Sequence, residues 1–523
     1  MRAVLTCSLL IAAAATAPVV AAEKVQLSVD VSKAGAKIDR NIFGQFAEHL
    51  GHGIYEGVWV GPDSTIPNTR GIRNDVVAAL RALKVPNVRW PGGCFADNYH
   101  WRNGIGPADK RVRTLNPDWG GVIEPNTFGT DEFMDFVSQI GSEAYISVNV
   151  GSGTPREAAD WLEYATAAQP TTLAMQRAAN GHSAAYKVGY LGIGNESWAC
   201  GGNMTADYYL SQLKIYSRFV RNYNPEQEGK QQMLKIAVGP GGPDTEWTET
   251  IMKSYRNHEW SWDMNGLSVH SYTVVKWPPS YASVGFGTAE YSQILKSTLE
   301  MDDLVTKQSA MMDKYDPKKN VALVVDEWGA WYAPLPGTNP GFLVQQNSLR
   351  DAILASLNLN IFARHADRVR MANIAQMVNV LQAMIATDKE KMVLTPTYQV
   401  FRMYVPFQDA TFVPVTFDAG TYTNGNINLP RLDAIAAKDA SGKLWLEITN
   451  LHPEEPVEID VDLAGVAVKS AAGETLTAPK VDSVNTFEAP NAVAPKPILV
   501  KVQGSRLALK LEPKSMTVIS LEQ

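Results

Sequence analysis

The chain has 523 residues, of which 45% are hydrophobic and 19% charged, with a formal net charge of -7. That length exceeds one ordinary domain and suits a large domain joined to a small one. The negative balance and the lack of any basic block exclude nucleic acid as an expected partner, and no internal repeat is visible.

Residues 1–22 stand apart. Arg2 is the lone early charge, residues 4–20 are nearly all small or apolar, and Val19-Val20-Ala21-Ala22 offers a small-residue cleavage site before Glu23. The pattern reads as a secretory signal peptide and predicts export to the periplasm or the medium. A charged soluble sequence follows at once, which argues against a membrane span. No later run is long and apolar enough to cross a bilayer, so no membrane partner is expected after signal removal. Of the three Cys, Cys7 leaves with the signal, while Cys94 (PGGC) and Cys200 (WACGG) stay in glycine-rich loops. A disulfide between them stays open, two free buried thiols being the preferred reading. Their spacing and the lack of a nearby His pair argue against a zinc site.

Residues 25–31 (VQLSVDV) alternate in character and read as a strand. The segment 23–37 is expected to pair with the C-terminal domain. Apolar strand-like runs then alternate with amphipathic segments of helical period, the signature of βα units on a parallel sheet. Eight strands are predicted, at 42–49, 87–92, 144–151, 188–196, 235–240, 266–272, 321–328 and 371–378. Helices are predicted at 72–84, 155–168, 205–222 and 345–365, with Thr154 as a cap, Pro155 at the first helical position and Thr205 as a second cap. The spacing fits an α/β fold, a (β/α)8 TIM barrel over 38–395. A doubly wound sheet is the runner-up, but no GxGxxG loop follows the first strand. From 396 to 523 the helical period fades. Short alternating runs such as LWLEITNL, VEIDVDL, LALKL and MTVISL predict an antiparallel β-sandwich or jelly roll.

Barrel enzymes place their working residues at the C-terminal strand ends. The first strand delivers Glu48 and His49 there, and the second delivers Arg89, Trp90 and the PGGC loop. The third gives Asn149, the fourth Asn195 and Glu196, the sixth His270 and Tyr272. The seventh gives Glu327 and then Trp331, and the eighth gives Gln376. The fourth and seventh strand ends, which face each other across the ring, each present a Glu, and paired carboxylates across a barrel mouth are the equipment of glycoside hydrolysis. A separation of about 5–5.5 Å suits retention and about 6.5–9.5 Å suits inversion. Glu327, projected near Arg89, His270 and Tyr272, is expected to be held ionised. Glu196, between Asn195 and Trp198, is expected in an uncharged, partly apolar setting that favours its protonated form. Asp326 is expected to point to the opposite side of its strand from Glu327. His49 and His52 have no evident third ligand and read as packing or polar-rim residues.

The motifs FGQFAEHLG, RWPGGCFADNYHWRNGIGP, GIGNESWACGG, VDEWGAWY and NIAQMVNV, in this order from about residue 38, resemble glycoside hydrolase family 51, the α-L-arabinofuranosidases. The resemblance implies a barrel with a C-terminal jelly roll and a retaining exo-mechanism on terminal arabinofuranose. It makes Glu196 the acid/base and Glu327 the nucleophile. It further implies sugar contacts from Glu48, Asn195, Tyr272, Gln376 and Cys94, with Trp331 near the glycone and Trp198 on the leaving-group side. Arg89 and His270 would support the nucleophile. Arabinofuranose-containing polysaccharides and oligosaccharides are the implied partners, with no cofactor or metal. A homo-oligomer, often a hexamer in the family, is the implied assembly. An endo-acting glycanase on the same barrel is the alternative.

Overall fold

The computed structural model describes residues 24–227, 229, 232–258 and 260–523. The expected signal peptide at 1–22 lies outside them.

Eight parallel strands close into a barrel, each bonded to the next and the last to the first. In chain order they are Gly44–Phe46, Asn87–Trp90, Glu143–Val148, Val188–Ile193, Leu234–Ala237, Gly266–Thr273, Ala322–Ala330 and Val369–Ile374. All eight predicted strands are there. The first is shorter than expected because Arg40–Phe43 forms a 3-10 turn, capped by the Asp39 carboxylate on the Asn41 N–H. The seventh is buried along its whole length, as strands of a helix-wrapped parallel sheet are. Tyr145, Tyr190, Ile236, Val324 and Met371 form a compact apolar cluster of their own within the barrel strands.

The helices start where the sequence caps them. The Thr154 hydroxyl accepts from Glu157 N ahead of Pro155–Thr166, and that of Thr205 accepts from Tyr208 N ahead of Ala206–Phe219. The helix Leu349–Arg364 is buried from Leu349 to Ala363. It packs between the helix Thr288–Tyr315, the helix Pro396–Tyr404 and the C-terminal domain, which explains why it is buried on every face, its Ser356 and Asn360 bonded to Glu447 of that domain. Pro396–Tyr404 thus still belongs to the layer around the barrel, although it lies beyond residue 395.

The C-terminal domain is two facing sheets of six and five strands. Val25–Val29 lies inside the five-stranded sheet, parallel to Val457–Asp462 and antiparallel to Val415–Phe417. Its alternation sends Val25, Leu27 and Val29 into the sandwich core. No helix among the described residues is long and apolar enough to cross a membrane.

Candidate active site

The C-terminal ends of the barrel strands converge on two buried carboxylate layers, the first held by Arg89. Arg89, on the second strand, donates from Nη1 to Glu327 Oε1 over 2.7 Å and from Nη2 to Asn195 Oδ1 over 2.5 Å. One rigid fork thereby fixes groups from the fourth and seventh strands. Burial alone would lower the Arg89 pKa, yet the carboxylates of Asp326 and Glu327 raise it, so the cation is permanent. Tyr272 donates to the other oxygen of Glu327 over 2.8 Å.

His270 sits between three carboxylates. Its Nδ1 lies 2.9 Å from Glu196 Oε1 and 3.5 Å from Glu327 Oε1, and its Nε2 lies 3.1 Å from Asp326 Oδ1. Burial opposes the imidazolium, but Glu327 and Asp326 outweigh it and push the pKa up to about 10. The ring is therefore a cation at neutral pH and donates from both nitrogens. Glu196 itself has φ 38°, in the left-handed region where a non-glycine residue is uncommon. An oxygen of Glu196, one of Glu327 and a His270 nitrogen all lie within 4.8 Å of one another. The protonated ring fills the gap between the two carboxylates as a donor, not as a metal ligand.

Glu48 forms a second layer. Its Oε1 accepts from Gly93 N (2.9 Å), Phe95 N (3.1 Å) and Trp119 Nε1 (2.9 Å), and its Oε2 accepts from Gln376 Nε2 (3.0 Å). Burial, and then the charge of Glu327, push its pKa up to about 7. The PGG turn allows this approach: a Cβ at Gly92 would stand 2.5 Å from Glu48 Cγ, and one at Gly93 2.8 Å from Glu327 Oε1. Trp331 lies edge-on to Tyr272 at 5.1 Å and to Trp277 at 5.2 Å, with Trp119 6.4 Å away. Trp198 donates to Gly239 O and lies against Gly241.

Two α-L-arabinofuranosidase models match the chain: the "1 domain" over residues 79–264 and the C-terminal domain over 326–515. A curated relative from Bacteroides ovatus, named an intracellular exo-alpha-L-arabinofuranosidase, is 44% identical over 97% of this chain and 98% of its own. The chain belongs to glycoside hydrolase family 51, the α-L-arabinofuranosidases. The crystal structure of the family 51 arabinofuranosidase from Xanthomonas axonopodis pv. citri is 51% identical, with a TM-score of 0.92 over 95% of this chain and 100% of that one. The arabinose complex of the Thermotoga maritima α-L-arabinofuranosidase is 31% identical, with a TM-score of 0.80 at the same coverages.

The Bacteroides relative overturns the expectation of export, since a protein matched almost end to end carries the name intracellular. That expectation rested on the local pattern of residues 1–22 alone, with Arg2, the apolar run and the small-residue cleavage site before Glu23.

Arg89, Asn195, Glu196, His270, Tyr272 and Glu327 meet in one bonded cluster in this family 51 barrel, Glu48 and Gln376 form a bonded pair in the layer beside it, and Trp331 borders the cluster through Tyr272. Three expectations change. Asp326 does not turn away from Glu327. The pairing register shifts between Val325 and Trp328 and again between Ser268 and His270, which breaks strand alternation. Both carboxylates consequently face inward, Asp326 taking His270, the Tyr145 hydroxyl and Arg89. Glu196 is not in an uncharged setting, because the His270 imidazolium donates to it. Cys94 and Cys200 are not free thiols but a disulfide, their Cα atoms 5.5 Å apart. The loops after the second and fourth strands, which are sequence-distant, place them side by side.

Asp97 and Trp119 went unnoticed in the sequence. Asp97 accepts from Val150, Gly151 and Asn195 N–H groups and so ties the third and fourth strand ends together. It lies inside a motif that drew attention to other residues. Trp119 sits on a loop far from any strand end, and no local pattern marks it.

Proposed function

We propose that Glu327 is the nucleophile and Glu196 the acid/base in retaining, exo-acting removal of terminal α-L-arabinofuranosyl residues. The observation that carries this reading is the approach of the two carboxylates to within 4.8 Å across His270. That spacing suits direct attack on the anomeric carbon and leaves no room for the intervening water of an inverting enzyme. In the first step Glu327 bonds to the anomeric carbon as Glu196 gives its proton to the leaving oxygen. In the second, Glu196 takes a proton from a water that attacks the same carbon and frees the sugar from Glu327. Two carboxyl groups and water balance this chemistry, so no cofactor or metal is needed.

Arg89 and Tyr272 hold Glu327 in an attacking orientation, and Arg89 also sets Asn195 for the 2-hydroxyl, a contact that strengthens at the transition state. Glu48 and Gln376 serve the sugar ring. The buried Oε1 of Gln376 has no hydrogen-bond partner among the described residues and is available to a hydroxyl. Cys94 enters this pocket as half of a disulfide. Trp331 borders the glycone, and Trp198 lines the leaving-group side. Side chains of arabinan or arabinoxylan, or oligosaccharides derived from them, are the substrate class. An intracellular setting, carried over from the name of the Bacteroides relative, favours the oligosaccharides. Assembly as a homo-oligomer, a hexamer by family resemblance, is the accompanying expectation, read directly by analytical ultracentrifugation.

An aryl α-L-arabinofuranoside tests the activity. Glu327→Ala should abolish turnover, and added azide should restore a product of inverted configuration. Glu196→Ala should slow substrates with poor leaving groups far more than activated ones. Near-normal rates from both variants would remove these assignments.

A further inference from the structure

The Cys94–Cys200 disulfide lies against the proposed acid/base. Cys200 is exposed and Cys94 half-buried. The Cys200 sulfur is 3.6 Å from Glu196 Oε2, and the Asn195 side-chain nitrogen is 3.7 Å from the same sulfur. One sulfur from each Cys and one Glu196 oxygen all lie within 4.8 Å of one another. Exposure makes such a bond open to attack by an external thiolate.

We propose that reduction of this disulfide creates an inhibitory zinc site, with the two thiolates and the Glu196 carboxylate as its ligands. A dithiol supplies the two electrons. Its thiolate attacks the exposed Cys200 sulfur, the S–S bond breaks and Cys94 leaves. The second dithiol sulfur then resolves the mixed disulfide, giving two cysteine thiols and an oxidised cyclic dithiol. Zinc displaces one proton from each thiol as it binds.

The donor set suits the ion. Zinc takes thiolate at about 2.3 Å and carboxylate at about 2.0–2.2 Å, so two sulfurs on one zinc stand roughly 3.7 Å apart. The sulfurs, about 2.05 Å apart in a disulfide, need only part by about 1.6 Å once their bond is gone, on loops whose Cα atoms are already 5.5 Å apart. The sequence offers no zinc motif because the third donor comes from the fold: Gly194-Asn195-Glu196 turns the Glu196 carboxylate back over the sulfurs. A Glu196 carboxylate bound to zinc can neither donate nor accept the proton that turnover needs. The inhibitory half of the inference rests on the acid/base reading of Glu196. The binding half does not.

The experiment uses the full chain reduced with a phosphine, which itself becomes the phosphine oxide. Thiol titration reports the appearance of two further thiols. Equilibrium dialysis against buffered micromolar free zinc then counts bound metal, and hydrolysis of an aryl arabinofuranoside is followed in the same samples. The reduced chain should take up one zinc and lose at least 10-fold in kcat, and a chelator should restore it. The oxidised chain should take up none and keep its rate. Reduced Cys200→Ser should bind no zinc at that concentration. Reduced Glu196→Gln, which keeps both Cys, should bind zinc at least 10-fold more weakly. Equal uptake by oxidised and reduced chains overturns the proposal, as does uptake with unchanged turnover. If the reduced chain takes up no zinc while it still hydrolyses the arabinoside, the zinc site falls and the glycosidase reading stands.

Discussion

Gln376 donates its side-chain nitrogen to Glu48 Oε2 over 3.0 Å, across 328 residues of sequence. The pair closes the barrel mouth where the eighth strand meets the first, and it sits one layer away from Glu327. Because the Glu48 pKa is pushed up to about 7 by burial and by the Glu327 charge, Glu48 gains its charge within the working pH range. The pH profile of kcat/KM should therefore carry an inflection near 7, which Glu48→Gln removes. An inflection that persists unchanged in Glu48→Gln would assign it to another group. Gln376→Ala deletes a hydrogen bond to a group that becomes charged, worth about 1.5–3 kcal/mol. It should lower kcat/KM by about 10- to 100-fold by the same measure.

Arg89→Lys tests the fork. Lysine keeps the charge but offers a point donor on a flexible stem, and it cannot hold Glu327 and Asn195 together. Both groups lose their aim while Asp326 keeps a cation nearby. Steady-state kinetics should show kcat/KM lower by about 100-fold or more, with a thermal transition still cooperative. A fall of less than about threefold would mean that the two contacts are set by something other than Arg89.

Much of this fold and site was legible in the sequence for physical reasons. Strands wrapped by helices must be apolar on both faces, so the eight runs stand out. A barrel also exposes its strand ends, so Glu48, Glu196 and Glu327 could be read off their positions. What failed depended on three-dimensional detail with no local signature. The inward turn of Asp326 needs the register shifts on the sixth and seventh strands. The His270 contact to Glu196, made at closer range than the one to Glu327, depends on side-chain placement across two non-adjacent strands. The Cys94–Cys200 bond needs two loops to meet, and the Trp119 contact to Glu48 needs a long excursion to fold back over the mouth. Residues 1–22 show the opposite failure, a strong local pattern whose implied export the name of the Bacteroides relative contradicts.

The His270 charge gives a spectroscopic prediction. Its pKa, pushed up to about 10 by Glu327 and Asp326 against the effect of burial, keeps the ring protonated through the neutral range. Being raised above the unfolded value, it stabilises the fold fully below about 6.5 and loses that contribution progressively as pH rises from there through about 10. Imidazole nitrogen shifts assigned by comparison with His270→Asn should stay those of an imidazolium from pH 6 to 8.5. A titration midpoint near 6.5 would show that the surrounding carboxylates do not hold the proton. His270→Asn should also lower kcat by about 100-fold, because Glu196 and Glu327 lose the donor they share.

Stability depends on a second buried carboxyl, far from the chemistry. Glu447, in the strand Leu444–Asn450, faces the helix Leu349–Arg364 and accepts from Ser356 Oγ (3.1 Å), Thr449 Oγ1 (2.6 Å) and Asn360 Nδ2 (2.6 Å). Burial pushes its pKa up from 4.5 to about 8. Between those values the folded chain holds a proton that the unfolded chain has released, so this group makes stability fall as pH rises from about 4.5 to about 8. The loss across that window is roughly 5 kcal/mol. In Glu447→Gln the carbonyl still accepts from Ser356 and Thr449, while the new amide meets the Asn360 amide. That repulsion is the same at every pH. The variant should therefore start less stable at pH 5 and lose less of its stability by pH 8.5. Glu48 and Asp97, also raised to about 7 by burial, contribute equally to both proteins and cancel in the comparison. Calorimetric Tm against pH measures the two slopes, and parallel slopes would show that Glu447 does not titrate in this range.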